Sequence, residues 1–111
     1  MASIVYVLYL HWIADFILQS DKLARNKGHS LVALSNHILI YWTFLSLGAC
    51  AAFGLKGLVF ASINSVAHFI TDFFTSKATS KLYKEGKIHA FFVVVGFDQF
   101  LHTSLLILTI P

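Results

Sequence analysis

The chain has 111 residues, 58% of them hydrophobic and 12% charged, with a formal net charge of +3 and a mean hydropathy of +0.77. A soluble domain carries about twice that charge fraction, so the composition argues against an ordinary water-soluble fold. Cys50 is the only cysteine, which excludes an intrachain disulfide and a thiolate metal cluster.

The apolar residues run in four blocks, roughly 4–18, 31–55, 58–74 and 90–110. A bilayer core needs about 20 apolar residues per helix, range 17–25. The second and fourth blocks reach that length outright. The first and third reach it only if the polar residues inside them also lie in the membrane. Period-two alternation is absent, and a helix satisfies its own backbone in lipid. The expected fold is therefore all-α: an integral membrane four-helix bundle, one domain over 1–111, with helices at about 3–20, 30–54, 57–78 and 88–110.

Block one has no positive residue before Asp15, so it lacks the basic start of a cleavable signal and is expected to stay as a transmembrane helix. It carries the hexapeptide His11-Trp12-Ile13-Ala14-Asp15-Phe16. A basic connection follows, with Lys22, Arg25, Lys27, Gly28 and His29. Block two holds Asn36 and His37 and ends near Gly54, Lys56 and Gly57. Block three repeats the first motif as His68-Phe69-Ile70-Thr71-Asp72-Phe73. A second basic connection carries Lys77, Lys81, Lys84, Gly86, Lys87 and His89 before block four, which holds Asp98, Gln99 and His102.

Each hexapeptide puts His and Asp four residues apart, so both leave one helix face. Asp98 and His102 have the same spacing in reverse order. The two halves share an order of motif, basic connection, glycine, histidine and polar-bearing apolar helix. They read as two parallel helical-hairpin repeats, related by an axis along the membrane normal. Both basic connections must share a side in a four-span chain. The positive-inside rule places them in the cytoplasm and both termini outside. That topology accounts for the basic residues, so no nucleic-acid partner is expected. The same residues are also suited to attracting an anionic lipid head group or substrate.

A rise of ~1.5 Å per helical residue puts His11, Asp15, His37, His68, Asp72 and Asp98 in one slab of the cytoplasmic half, with His102 a turn deeper. Intramembrane ionisable groups mark functional sites. Four imidazoles and three carboxylates form a nitrogen and oxygen ligand set that suits a divalent metal: zinc first, with manganese or iron as alternatives. Seven candidates exceed the needs of one ion and fit two, with a carboxylate bridging. Gln19, Asn36 and Gln99 are expected to support these ligands rather than bind metal. His29 and His89, at helix starts, are expected in water.

The pattern His-x-x-x-Asp-Phe-x-x-Gln (His11 to Gln19), the pair His37 and Tyr41, His-Phe-x-x-Asp-x-x-Thr-Ser-Lys (His68 to Lys77) and Asp-Gln-x-x-His (Asp98 to His102) together resemble the domain of unknown function 3307 family. That resemblance implies a small integral membrane protein of bacterial or phage origin, in the inner membrane, and brings no established activity. The pattern is also loosely similar to membrane-bound proteins described as metal-dependent hydrolases.

The leading expectation is a membrane-embedded, dinuclear metal-dependent hydrolase acting on a lipid-linked or amphipathic substrate from the cytoplasmic side. One alternative is proton or metal-ion transport through the His/Asp cluster, including as a homo-oligomer. Another is a haem or di-iron protein. The last is a structural bundle in which buried polar groups set helix pairing.

Overall fold

Two serines and two glycines punctuate the chain where its helices start and turn. The computed structural model describes residues 2–111 and contains no strand among them. Helix α1 spans Ala2–Trp12 and continues into a π-helical turn, Ile13–Ile17. Helices α2 (Asp21–Asn26), α3 (Leu31–Phe53), α4 (Leu55–Lys84) and α5 (Ile88–Thr109) follow. Ser20 and Ser30 cap α2 and α3, their hydroxyls accepting from the backbone N–H of Leu23 and Ala33 at 3.2 Å each. Gly54 alone joins α3 to α4, at φ +66° and ψ −144°, a region that side-chain-bearing residues avoid.

Three boundaries differ from the sequence reading. The first helix does not run regularly to residue 20. Leu18 N–H bonds Ile13 O at 2.9 Å, five residues back, so the turn around Asp15 is widened. Such turns recur at functional sites. The first basic connection contains the short helix α2. Helix α4 extends to Lys84 rather than 78, because hydropathy marks the apolar length while Ala78, Lys81, Leu82 and Lys84 remain good helix formers.

Side-chain partners fix the helix directions. Along α3 and α4, His37 meets His68, Trp42 meets Ser62 and Ala49 abuts Gly57. Along α4 and α5, Asn64 meets Thr109, Asp72 meets His102 and Thr75 meets Asp98. Along α1 and α3, Tyr6 meets Gly48, His11 meets Tyr41 and Asp15 meets His37. Each series runs in opposite order on its two helices, so these neighbours are antiparallel. Helices α1 and α4 consequently point the same way, as do α3 and α5.

Helices α3, α4 and α5 are each long and apolar enough to cross a membrane; the apolar stretch Ala2–Ile17 is shorter. The molecule measures 45 × 28 × 20 Å. Its long axis matches a bilayer with its head-group regions, about 40–45 Å. The usual partition of side chains is inverted. Eleven buried polar or charged side chains accompany ten buried apolar ones, while Leu47, Val59, Val66, Phe92, Phe100 and Leu108 are each at least 60% exposed. An apolar exterior around a polar interior matches a lipid environment better than water. Outer hydroxyls fold back onto their own helix, Thr43 onto Leu39 O and Ser62 onto Leu58 O, both at 2.8 Å.

An apolar layer made by Val7, Leu10, Leu45, Ala49, Phe60, Ala61 and Leu106 fills the half of the molecule nearer Gly54. The buried histidines and aspartates occupy the other half, toward the two basic connections, while Ser46, Ser65 and the Asn64–Thr109 pair are polar groups at the level of the apolar layer.

Candidate functional site

Four helical segments supply the buried polar groups, each from a position that faces the interior. The π turn brings Asp15, α3 brings His37, α4 brings His68 and Asp72, and α5 brings Asp98 and His102. All six are buried.

Asp15 and Asp72 form the centre. His37 Nε2 lies 3.1 Å from Asp15 Oδ1 and 3.5 Å from Asp72 Oδ2. His68 Nε2 lies 3.3 Å from Asp15 Oδ1 and 3.2 Å from Asp72 Oδ2. The two imidazole nitrogens are 3.1 Å apart. Donor atoms bonded at about 2.0–2.2 Å to one tetrahedral ion stand about 3.3–3.6 Å from one another. The observed separations fall at or just below that range. Ligand atoms of these four residues all lie within 4.8 Å of each other.

Proton counting points the same way. Two ring nitrogens at 3.1 Å hold at most one proton between them if they bond to each other, yet each also faces two carboxylate oxygens. A cation at the centre would satisfy all four atoms together.

A second group shares a member with the first. Asp15, Asp98 and His102 also offer ligand atoms within 4.8 Å of one another. His102 Nε2 lies 3.1 Å from Asp98 Oδ1 and 3.3 Å from Asp72 Oδ1. Asp72 thus turns one oxygen to His37 and His68 and the other to His102. Both hexapeptide aspartates stand between the two groups, where a bridging carboxylate would sit.

His11 lies outside both groups. Its Nδ1 is 2.8 Å from the Tyr41 hydroxyl, and its Nε2 is 3.0 Å from Gln99 Oε1 and 3.6 Å from Asp15 Oδ2. Both of its nitrogens therefore have polar neighbours, and it links Tyr41 to Gln99 and Asp15. Gln99 donates from Nε2 to Asp15 Oδ2 and Asp98 Oδ2, at 3.1 Å each. Thr75 donates to Asp98 Oδ1 at 2.6 Å. Outer partners of this kind hold ligating carboxylates in place. The His68 ring stacks on His102 at 3.9 Å and 11°, and its Nδ1 is buried without a hydrogen-bond partner among the described residues. Gln19 borders the site, whereas Asn36 is exposed on α3 and makes no contact with it. His29 and His89 are exposed, and His29 edges the site's opening.

Lys27, one of the basic residues whose sequence context left topology and anion attraction both open, reaches the cluster itself. Its Nζ donates to Asp72 Oδ2 at 3.1 Å, and its side chain is 17% exposed. Gly28 explains the reach. A Cβ there would stand 2.5 Å from Ser80 Oγ and 2.7 Å from Ser76 O, so only glycine lets this connection lie against α4 and hang Lys27 over Asp72. Tyr41 and Thr75 sit inside the motifs read from sequence, but their partners appear only in three dimensions.

A cavity of about 470 Å³ opens from this cluster. Asp15, Asp72 and Asp98 form its floor, and Arg25, Lys27 and Lys84 stand around it toward the basic connections.

Fold and site together define an all-helical protein with apolar, membrane-length helices and a buried His/Asp cluster. The chain belongs to the DUF3307 family, described as protein of unknown function, whose model matches residues 4–110. No curated protein and no solved structure matches it.

Proposed function

We propose that this chain is a bacterial inner-membrane protein that holds one or two divalent metal ions and hydrolyses a lipid-linked or amphipathic substrate reached from the cytoplasmic face. The observation that carries the reading is the convergence of Asp15, His37, His68 and Asp72, with Asp15 shared by a second group containing Asp98 and His102. The donors are nitrogen and oxygen only, which suits zinc, manganese or iron. Bound there, the metal would polarise a substrate oxygen and lower the pKa of a bound water. Asp15, His37, His68 and Asp72 would hold one ion, and Asp15, Asp98 and His102 would hold a second. Gln99, Thr75 and His11 would fix the carboxylates.

Four membrane crossings complete this proposal. The antiparallel neighbours and the parallel pairing of α1 with α4 support two hairpin repeats of one orientation. The two basic connections lie at the same end, since Gly28 packs on Ser76 and Ser80 of α4. The positive-inside rule makes that end cytoplasmic and leaves both termini outside.

Transport uses the same residues but fits the geometry less well. The cavity reaches the cluster from one end, and the apolar layer around Leu45, Phe60 and Leu106 lies beyond it. In one copy of the chain this cavity therefore gives access to the cluster from that end.

The test is hydrolysis of phosphate and carboxylic esters of lipids by the chain in nanodiscs. Activity should vanish with a chelator and return with zinc or manganese. Activity that survives complete metal removal, or flux of protons or metal ions in liposomes without hydrolysis, would contradict the proposal.

A further inference from the structure

The cavity has two chemically opposite ends. Its floor is acidic, and its mouth carries Arg25 and Lys27 from the first connection and Lys84 from the end of α4. These cations come from segments far apart in sequence and meet at one opening. Topology alone requires them on one side of a membrane, not around one cavity. Lys27 is set apart by its depth. Its Nζ reaches the same Asp72 oxygen that faces His37 and His68. A group bonded to that ammonium is therefore within one or two atoms of the cluster. Phe16, Phe91 and Val95 border the cavity beside the cations, so an apolar substituent has a wall to lie against. The volume, about 470 Å³, is that of a small-molecule site.

We propose that this cavity binds a phosphate-type oxyanion, with Lys27 as the central cation and Arg25 and Lys84 at the rim. The inference rests on the metal reading above, because divalent ions would convert the acidic floor into a second source of positive charge. A divalent ion on Asp72 outcompetes the lysine for that carboxylate. Lys27, released but held in place by Gly28, then pairs with the oxyanion through charge-assisted hydrogen bonds. The oxyanion belongs either to a lipid head group or to a free phosphate. The contact with Phe16, Phe91 and Val95 is what would tell the two apart.

The test titrates two probes, inorganic phosphate and a short-chain phosphatidic acid, into the zinc-treated and chelator-treated chain in detergent. Metal content is measured in parallel. Binding of both probes with equal affinity identifies the phosphate group as sufficient; tighter binding of phosphatidic acid assigns the site to a lipid head group. In either case Lys27→Ala should weaken binding about tenfold or more without lowering the zinc content. Lys27→Arg should retain most of the affinity, and Lys56→Ala, at the opposite end of the molecule, should leave it unchanged. Circular dichroism and gel filtration establish that the variants fold.

Metal uptake with no binding of either probe, or equal binding by Lys27→Ala, overturns this inference and leaves the metal reading standing. Lys27-dependent binding by a chain that takes up no metal overturns the metal reading and, with it, the release of Lys27 from Asp72 by a divalent ion, and leaves a metal-independent oxyanion site. Absence of both metal uptake and probe binding overturns both.

Discussion

The carboxylates of Asp15 and Asp72 face each other across the same two atoms, Nε2 of His37 and Nε2 of His68. Each aspartate comes from one copy of the repeated hexapeptide, and the copies lie on segments that run in the same direction. Both His-x-x-x-Asp motifs therefore contribute an aspartate to one cluster. If that cluster holds metal, both aspartates belong to the ligand set. Asp15→Asn and Asp72→Asn should each lower metal affinity at least about tenfold. Competition with a chromophoric chelator measures this, and a variant that retains full affinity would remove that aspartate from the ligand set.

Gln99 is the amide that joins Asp15 to Asp98 while receiving His11. Gln99→Ala leaves two buried carboxylates without their common donor. The expected cost is about 1–3 kcal/mol in stability, with about 10–100-fold weaker metal binding. Thermal unfolding in detergent, with and without zinc, separates the two effects.

Gly28 and Gly96 form a matched pair of tests. Alanine at 28 would drive its Cβ onto Ser80 Oγ and the Ser76 backbone. Gly28→Ala should therefore lift the connection from α4 and cost about 1–3 kcal/mol. Gly96 lies within α5 and a Cβ there meets nothing within 4 Å. Gly96→Ala should be neutral or gain roughly 0.5–1 kcal/mol from helix propensity. Helical content by circular dichroism should stay the same in both.

The topology is open to labelling because Cys50 is the only native thiol. In a Cys50→Ser background, Lys22→Cys and Lys84→Cys should react with a membrane-impermeant maleimide only from the cytoplasmic side. Lys56→Cys should react only from outside. Labelling of all three from one side would contradict four crossings.

Much of this was legible in the sequence, and the reasons are physical. Long apolar blocks report helices directly, because lipid leaves few other ways to satisfy a backbone. A His and an Asp four apart share a face whatever the helix packs against, so Asp15, His68, Asp72, Asp98 and His102 could be picked out before their neighbours were known. The π turn was not legible, since Ile13 to Ile17 is compatible with an ordinary helix. Nor was the continuation of α4 past residue 78, where polar helix formers follow the apolar run. His11 shares the spacing of His68, yet Tyr41 and Gln99 engage both of its nitrogens. Spacing places a side chain on a face but does not say which neighbours claim its atoms. For Lys27 the sequence left topology and anion attraction both open, and its contact with Asp72 appears only once the Gly28 approach lays the loop on α4.

The converging His and Asp side chains are proposed to hold a divalent ion, and elemental analysis with X-ray absorption on the detergent-purified chain decides it. At least one zinc, manganese or iron per chain is expected. If the ion is zinc, its first shell should hold only nitrogen and oxygen at about 2.0–2.2 Å, and His68→Ala should lose the metal. A folded, monodisperse chain that carries no transition metal, takes up none on reconstitution and keeps its stability in chelator would contradict the claim.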